Sequence, residues 1–236
     1  MGLFSSVIHL RSCDQSAVYD ALKGCIQESG YAVGASFAPD VPPRDSRDDT
    51  LQYLISPRLG DWATIIQCHF AVYDSPWLSD LALELSASLD TYALSMMVHD
   101  DDVLYYDLAR SGEIIDGYNS CPQYFEKDPL TDAQIREQRH DCSPFVPLLP
   151  AQVSLSHLEA ILERGWWGAY LGNRLDEDRL VSNDEPQYTT EADRMADIGN
   201  LLQLHGGAAG YPFADWFDNA HIDWKSFVAV RCSKHQ

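Results

Sequence analysis

"YALSMMVHDDDVLYYDLARSGEIIDGYN", residues 92–119, decides the fold. Three β-prone runs, "YALSMMVH", "VLYYDLA" and "EIIDGYN", are separated only by "DDD" and "RSG". With connections this short, antiparallel neighbours are the simplest arrangement. Aspartate suits the first connection, because its side chain accepts hydrogen bonds from its own backbone and it tolerates left-handed dihedrals. The triple aspartate therefore reads first as a hairpin tip.

Working outward, "DSPWLSDLALELSASL" reads as a helix capped by Ser75, with Pro76 at its first position and Leu78, Leu81, Leu85 and Leu89 in one apolar stripe. Asp80 and Glu84 stand four residues apart on its exposed face, a repulsive spacing. Upstream, "LFSSVIHL" is strand-like, and "DQSAVYDALKGCIQESG" is a helix capped by Asp14 and stopped by Gly30. "YAVGASF" is a short strand, "APDVPPRDSRDD" an exposed loop, and "LQYLIS" another strand. In "DWATIIQCHFAVY", Trp62, Ile66, Cys68, Phe70 and Val72 alternate with Ala63, Gln67, His69 and Tyr73, which predicts a half-buried strand. Residues 1–125 thus run β-α-β-β-β then α-β-β-β, an α+β fold with helices packed on a largely antiparallel sheet.

The texture changes from "SCPQYFEKDPLTDAQ" onward, and residues 126–236 read as a helical elaboration of the same domain. "SLSHLEAILERGWWGAYLG" offers a capping box from Ser156 to Glu159. "TTEADRMADIGNLLQLHGG" is amphipathic, with Met195, Ile198, Leu202 and His205 on one stripe and Gly206 as its stop. "DWKSFVAVRC" is a terminal strand that adds to the sheet.

The chain of 236 residues, 45% hydrophobic, is long enough to bury a sizeable core. Its 16 basic and 36 acidic residues leave a net charge of −20. Nucleic acid and anionic membrane would be repelled, so neither is an expected partner. The imbalance is local: residues 1–60 carry seven acids and five bases, whereas residues 61–125 carry eleven acids and a single base, Arg110. A solvated acidic face explains this, and so does a surface that steers a basic protein partner. The six cysteines include no C-x-x-C pair, a usage that fits reduced core residues in the cytoplasm. No apolar run reaches the roughly 18–20 residues that span a membrane. "MGLFSS" places Gly2 and Ser6 at the spacing of an N-myristoylation signal, in a stretch that also reads as the first strand.

Chemistry has two candidate locations. At a strand end successive side chains point to opposite faces, so His99 and Asp101 would converge while Asp100 and Asp102 diverge. Two ligands do not make a metal site, and the turn preference of aspartate explains the run without chemistry. In "AHIDW", His221 and Asp223 have an i,i+2 spacing that serves some metal sites on a strand. A metal-dependent hydrolase using residues 99–102 and 221–223 is the enzymatic alternative, and it requires these groups to meet in space. The chain has no G-x-S-x-G elbow, phosphate-binding loop, dinucleotide fingerprint or H-E-x-x-H helix, so no cofactor is called for. In "GWWGAYLG", Trp166 and Trp167 cannot share one helical face, which marks them as candidate contact residues.

From Trp62 to Phe125 the chain resembles a group of uncharacterised bacterial cytosolic proteins. In that pattern an "LS" pair precedes a strand ending "VHDxD", then an "LxYxL" strand, a glycine turn and a "DxYxS" ending. Here these are Leu85 and Ser86, His99 to Asp102, Leu104 to Leu108, Gly112, and Asp116, Tyr118 and Ser120. The resemblance implies a bacterial, intracellular origin and an α+β sheet, with no reaction to carry over. The expectation is a non-enzymatic, immunity-protein-like module that docks a basic partner through Asp80, Glu84, Asp100, Asp101, Asp102, Trp166 and Trp167.

Overall fold

The computed structural model describes residues 5–34, 50–67, 75–122, 124, 126, 128, 130, 131, 133, 134, 141–164, 188–204 and 223–234. Eight strands are defined in them: β1 Ser5–Arg11, β2 Tyr31–Val33, β3 Thr50–Ile55, β4 Trp62–Gln67, β5 Tyr92–His99, β6 Val103–Arg110, β7 Glu113–Asn119 and β8 Val228–Lys234. They form one sheet in the order β2-β8-β3-β4-β1-β5-β6-β7. Every pairing is antiparallel, so the class is α+β. The helices are α1 Gln15–Glu28, α2 Ser75–Ser88, α3 Leu155–Glu163 and α4 Glu191–Leu201, with 3-10 turns at Ser143–Leu148 and Trp224–Ser226. The terminal strand β8 does not extend an edge but sits between β2 and β3, two elements of the N-terminal stretch.

Both faces of the sheet are covered. On one, α1 and α2 bury Ile8, Leu10, Ala63, Ile65, Ala93, Met97 and Ala109. On the other, the Ser143–Leu148 turn, α3 and α4 bury Val7, Trp62, Leu94, Met96, Leu104, Tyr106 and Leu108. Residues of one strand alternate between two apolar layers instead of between core and water, as expected for strands buried on both sides. That corrects the half-buried reading of β4, where Trp62 through Ile66 are all buried, Thr64 included. The residues of that run beyond Gln67 lie outside the described residues.

Polar groups fix how the layers sit. The Trp62 indole N–H donates to the Leu202 carbonyl at the end of α4, at 3.1 Å. The Gln15 amide at the start of α1 donates to the carbonyls of Ile55 and Ser226, both at 2.9 Å. α3 begins earlier than the Ser156–Glu159 box implies. Ser154 is the cap, in extended conformation, and its N–H reaches Nδ1 of His157 at 3.4 Å. Ser156 is already inside the helix. Thr190 caps α4 reciprocally with Asp193, at 3.2 Å in each direction. This helix ends at Leu201, and Gln203 adopts a left-handed φ of +56°. His205 and Gly206 lie outside the described residues.

The β6–β7 turn touches α2 at one glycine. Gly112 has φ +87°, its N–H donates to Ser86 Oγ at 2.9 Å, and a Cβ there would stand 3.0 Å from the Ala87 Cβ. Gly30 has a similar φ, +84°, but open space around it. Gly112→Ala should therefore cost about 1–2 kcal/mol of left-handed strain plus about 1 kcal/mol or more of overpacking, and Gly30→Ala the strain alone. Urea melts of the two variants should rank in that order, and equal losses would contradict the close approach.

Candidate functional site

The triple aspartate is a turn tied into the fold. Asp100 and Asp101 have φ of +54° and +63°, and the Asp102 N–H donates to the His99 carbonyl at 3.0 Å. Strand alternation ends at His99, so the expected convergence of His99 with Asp101 has no basis in the backbone. The Asp101 carbonyl accepts the Glu191 N–H of α4 at 2.9 Å, and Tyr124 donates its hydroxyl to Asp102 Oδ2 at 3.0 Å. The Tyr124 ring meets His99 edge-on, with centroids 6.0 Å apart. Partial burial and the nearby Asp102 and Asp100 push its phenol up to about 12.

Beneath this turn lies a buried ion pair. Arg194 is 2% exposed and Glu191 0%. Arg194 Nε and Nη2 donate to the two Glu191 carboxylate oxygens at 2.7 and 3.1 Å. Its Nη1 donates to the Ile161 and Leu162 carbonyls near the end of α3, at 2.7 and 2.9 Å. The guanidinium lies 4.8 Å from the Tyr188 ring and 6.0 Å from that of Tyr118, whose hydroxyl also donates to Leu162. Burial raises the Glu191 carboxyl against the pull of Arg194 and the Ser120 hydroxyl. Burial also opposes charge on Arg194, but Tyr118 and Glu191 outweigh it and hold the guanidinium above its ordinary value. Arg194 therefore stays charged and Glu191 is its counter-ion.

The pattern residues of the sequence surround this clasp. Ser120 Oγ accepts the Leu104 N–H at 2.9 Å, and Tyr106 donates to Asp116 at 2.8 Å while stacking on Tyr118 with centroids 5.4 Å apart. With Ser86 receiving Gly112 and Tyr118 donating to Leu162, the "LS", "LxYxL", glycine and "DxYxS" elements tie β6 to β7 and the sheet to α2 and α3. Reading the sequence missed the clasp itself. Its signal was the pair Glu191 and Arg194 at i,i+3 in the first turn of a capped helix.

Of the candidate hydrolase groups that are described, Asp223 does not meet the 99–102 turn. Asp223 is exposed just before β8, which lies four strand positions from β5, or about 19 Å across the sheet. His221 lies outside the described residues, as do Trp166 and Trp167. Among the described residues no group of three or more His, Cys, Asp or Glu side chains could hold a metal ion. No disulfide joins the described cysteines, and Cys13, Cys25, Cys142 and Cys232 are buried. Burial pushes the thiols of Cys25 and Cys232 up to about 11 and that of Cys142 to about 12, away from the thiolate a nucleophile needs.

Four exposed acids of 61–125, Asp80, Glu84, Asp90 and Glu113, lie on or beside α2. The helix runs beside β6, from Ser79, which donates to Asp107, to Ser86, which receives Gly112. Asp80 and Glu84 are exposed along it; Asp90 and Glu113 are exposed at its C-terminal end, and its N-terminal end points toward the Asp100–Asp102 turn. Among the described residues none of Asp80, Glu84, Asp90 and Glu113 pairs with a basic side chain. The ion pairs at the N-terminal end of the sheet use Arg11 and Arg58 with Asp61 and Asp14. Arg110, the one base of the stretch, lies 4.8 Å over the Tyr92 ring and donates to its hydroxyl. A groove on α2 is lined by Trp77, Asp80, Leu81, Leu83 and Glu84. Trp77 was not singled out from the sequence, although it shares the helical face of Asp80 and Glu84 at i, i+3 and i+7.

Comparison of the chain with models of protein families, with curated proteins and with solved structures finds no match. Among the described residues no helix is long and apolar enough to cross a membrane.

Two outcomes follow. Glu191→Gln or Arg194→Met alone should cost about 3–5 kcal/mol in denaturant unfolding, because either strands a buried group. The double variant Glu191→Met/Arg194→Met should recover part of that loss, and additive losses would contradict the pairing. Burial also raises the phenols of Tyr106, Tyr118 and Tyr188 above the unfolded value of 10.0. A folded value above the unfolded one gives stability that is complete below about pH 10 and is lost as pH rises further. Ultraviolet titration should show exposed tyrosines ionising reversibly near pH 10 and the buried ones only as near-UV circular dichroism is lost.

Proposed function

We propose that this chain is a non-enzymatic interaction module that docks a basic protein partner through the acidic surface around α2, as an immunity protein docks a cationic toxin. The observation that carries this reading is the set of exposed carboxylates, Asp80, Glu84, Asp90 and Glu113, that no basic side chain among the described residues neutralises. Asp100, Asp101 and Asp102 extend the same field at the end of β5. Unscreened carboxylates on a rigid face raise the local concentration of a cationic partner and speed its productive encounter.

The immobilised chain should capture a basic protein from the lysate of its source organism at low salt and release it at high salt. With that partner purified, Asp80→Asn/Glu84→Gln/Asp90→Asn/Glu113→Gln should slow association by about tenfold or more while changing dissociation less. A partner whose association is indifferent to salt and to these four changes would overturn the reading.

A further inference from the structure

We propose that the outer edge of β7 receives an extended segment of the basic partner as an added strand, held by main-chain hydrogen bonds and by acids at both ends of the edge. The inference rests on the reading of the chain as a docking module and names the contact through which the partner binds. β7 closes one side of the sheet, and β2, with three residues, closes the other. The Ser120 N–H donates to the Leu104 carbonyl at 2.9 Å. Bonded and non-bonded pairs alternate along an antiparallel ladder, so Asp116 and Tyr118 turn their main-chain groups to β6 while Gly117 and Asn119 turn theirs outward. Beyond the irregularity at Leu108/Ala109, Ser111 at φ +49° and Gly112 at φ +87° form a two-residue turn closed by Arg110 and Glu113, and Ile114 therefore faces outward too. No strand among the described residues meets these three. Such a row of main-chain groups is a template for a further strand.

Three features fit this edge to a basic, extended occupant. Ile114 is 46% exposed and lies on the α2 face of the sheet, opposite Ala109. Gly117 carries no side chain, since a Cβ there would stand 3.0 Å from Asp107 Oδ1, and bare backbone lets a second chain approach closely. Acids mark both ends. At the turn end Glu113 and Asp90 are exposed, with Asp90 held by the Ser111 hydroxyl at 2.7 Å and Arg110 turned onto the Tyr92 ring. At the other end Asn119 pairs with Tyr105, close to the Asp100–Asp102 turn that leads into β6. The seven residues of β7 span roughly 20 Å, which suits a segment with basic residues at its ends and apolar ones between. A second copy of the chain would instead set another net charge of −20 against the same acids.

The test titrates the full ¹⁵N-labelled chain with a seven-residue peptide, lysine at both ends and alternating valine and threonine between, and with the same peptide methylated on every inner amide nitrogen. The expected result is saturable, salt-sensitive binding that shifts the Ile114, Gly117 and Asn119 amide signals and slows exchange of the Gly117 and Asn119 amides. The methylated peptide should bind at least about tenfold more weakly, because it cannot donate to the outward carbonyls. Asp90→Asn/Glu113→Gln should weaken the first peptide by about fivefold or more, and Glu159→Gln/Glu163→Gln, at exposed positions on α3, by less than about twofold. Equal binding of the two peptides, shifts confined to α2, or equal weakening by the two double variants overturns the added strand while the docking reading stands. Absence of peptide binding does the same. The docking reading itself falls only if a captured basic partner associates without regard to salt and to the four charge changes above.

Discussion

Arg194 has five N–H donors and lies 2% exposed between two helices and a sheet, so its place is allowed only if α3, α4 and β7 stand where they do. Glu191 takes two of those donors, the carbonyls of Ile161 and Leu162 take another pair of contacts, and Tyr118 and Tyr188 cover the guanidinium. A misplaced layer would leave a charge in the core, which is far more costly than a shifted apolar contact. Apolar burial drives α3 and α4 onto the sheet without selecting one register. The clasp selects it, and through the Glu191 N–H it also fixes the acidic turn at Asp101.

That constraint divides the molecule into two kinds of polar residue. Those facing the α3–α4 layer, such as Asp116, Tyr106, Tyr118 and Ser120, spend their hydrogen bonds on tying β6 to β7 and, through Tyr118, on holding α3 to the sheet. Those around α2 include carboxylates left unneutralised, with Asp80 and Glu84 at a spacing that repels by about 0.2–0.5 kcal/mol. Repulsion retained on an exposed helix is a cost to the isolated chain, one that the proposed cationic partner would remove. The triple aspartate, the most conspicuous acidic run, belongs mainly to the first kind.

The sheet was legible in the sequence because its decisive signals are local. The runs 92–99, 103–109 and 113–119, with their short connections, fix three antiparallel strands, and Gly30 marks the end of α1. What the sequence hid was non-local. Thr64 and His9 look polar and outward-facing, yet both are fully buried and bonded to each other at 2.8 Å, because a layer formed far along the chain covers that face. Alternation in β4 was accordingly misread as core against water. The placement of β8 inside the sheet, and the meeting of Arg194 with Tyr118, depend on contacts across 173 to 183 residues and 76 residues respectively, which no periodicity records. The acidic surface stood midway: its charge could be counted from composition, whereas the placing of Asp80, Glu84, Asp90 and Glu113 on or beside α2 needed the fold.

The most direct test of the proposed docking is hydrogen–deuterium exchange of the chain alone and in complex with a basic protein that it captures. Amide exchange should slow in α2 and the adjoining part of α1, while residues 141–164 and 188–204 exchange as they do in the isolated chain. Protection gained in those two segments with α2 unchanged would contradict it.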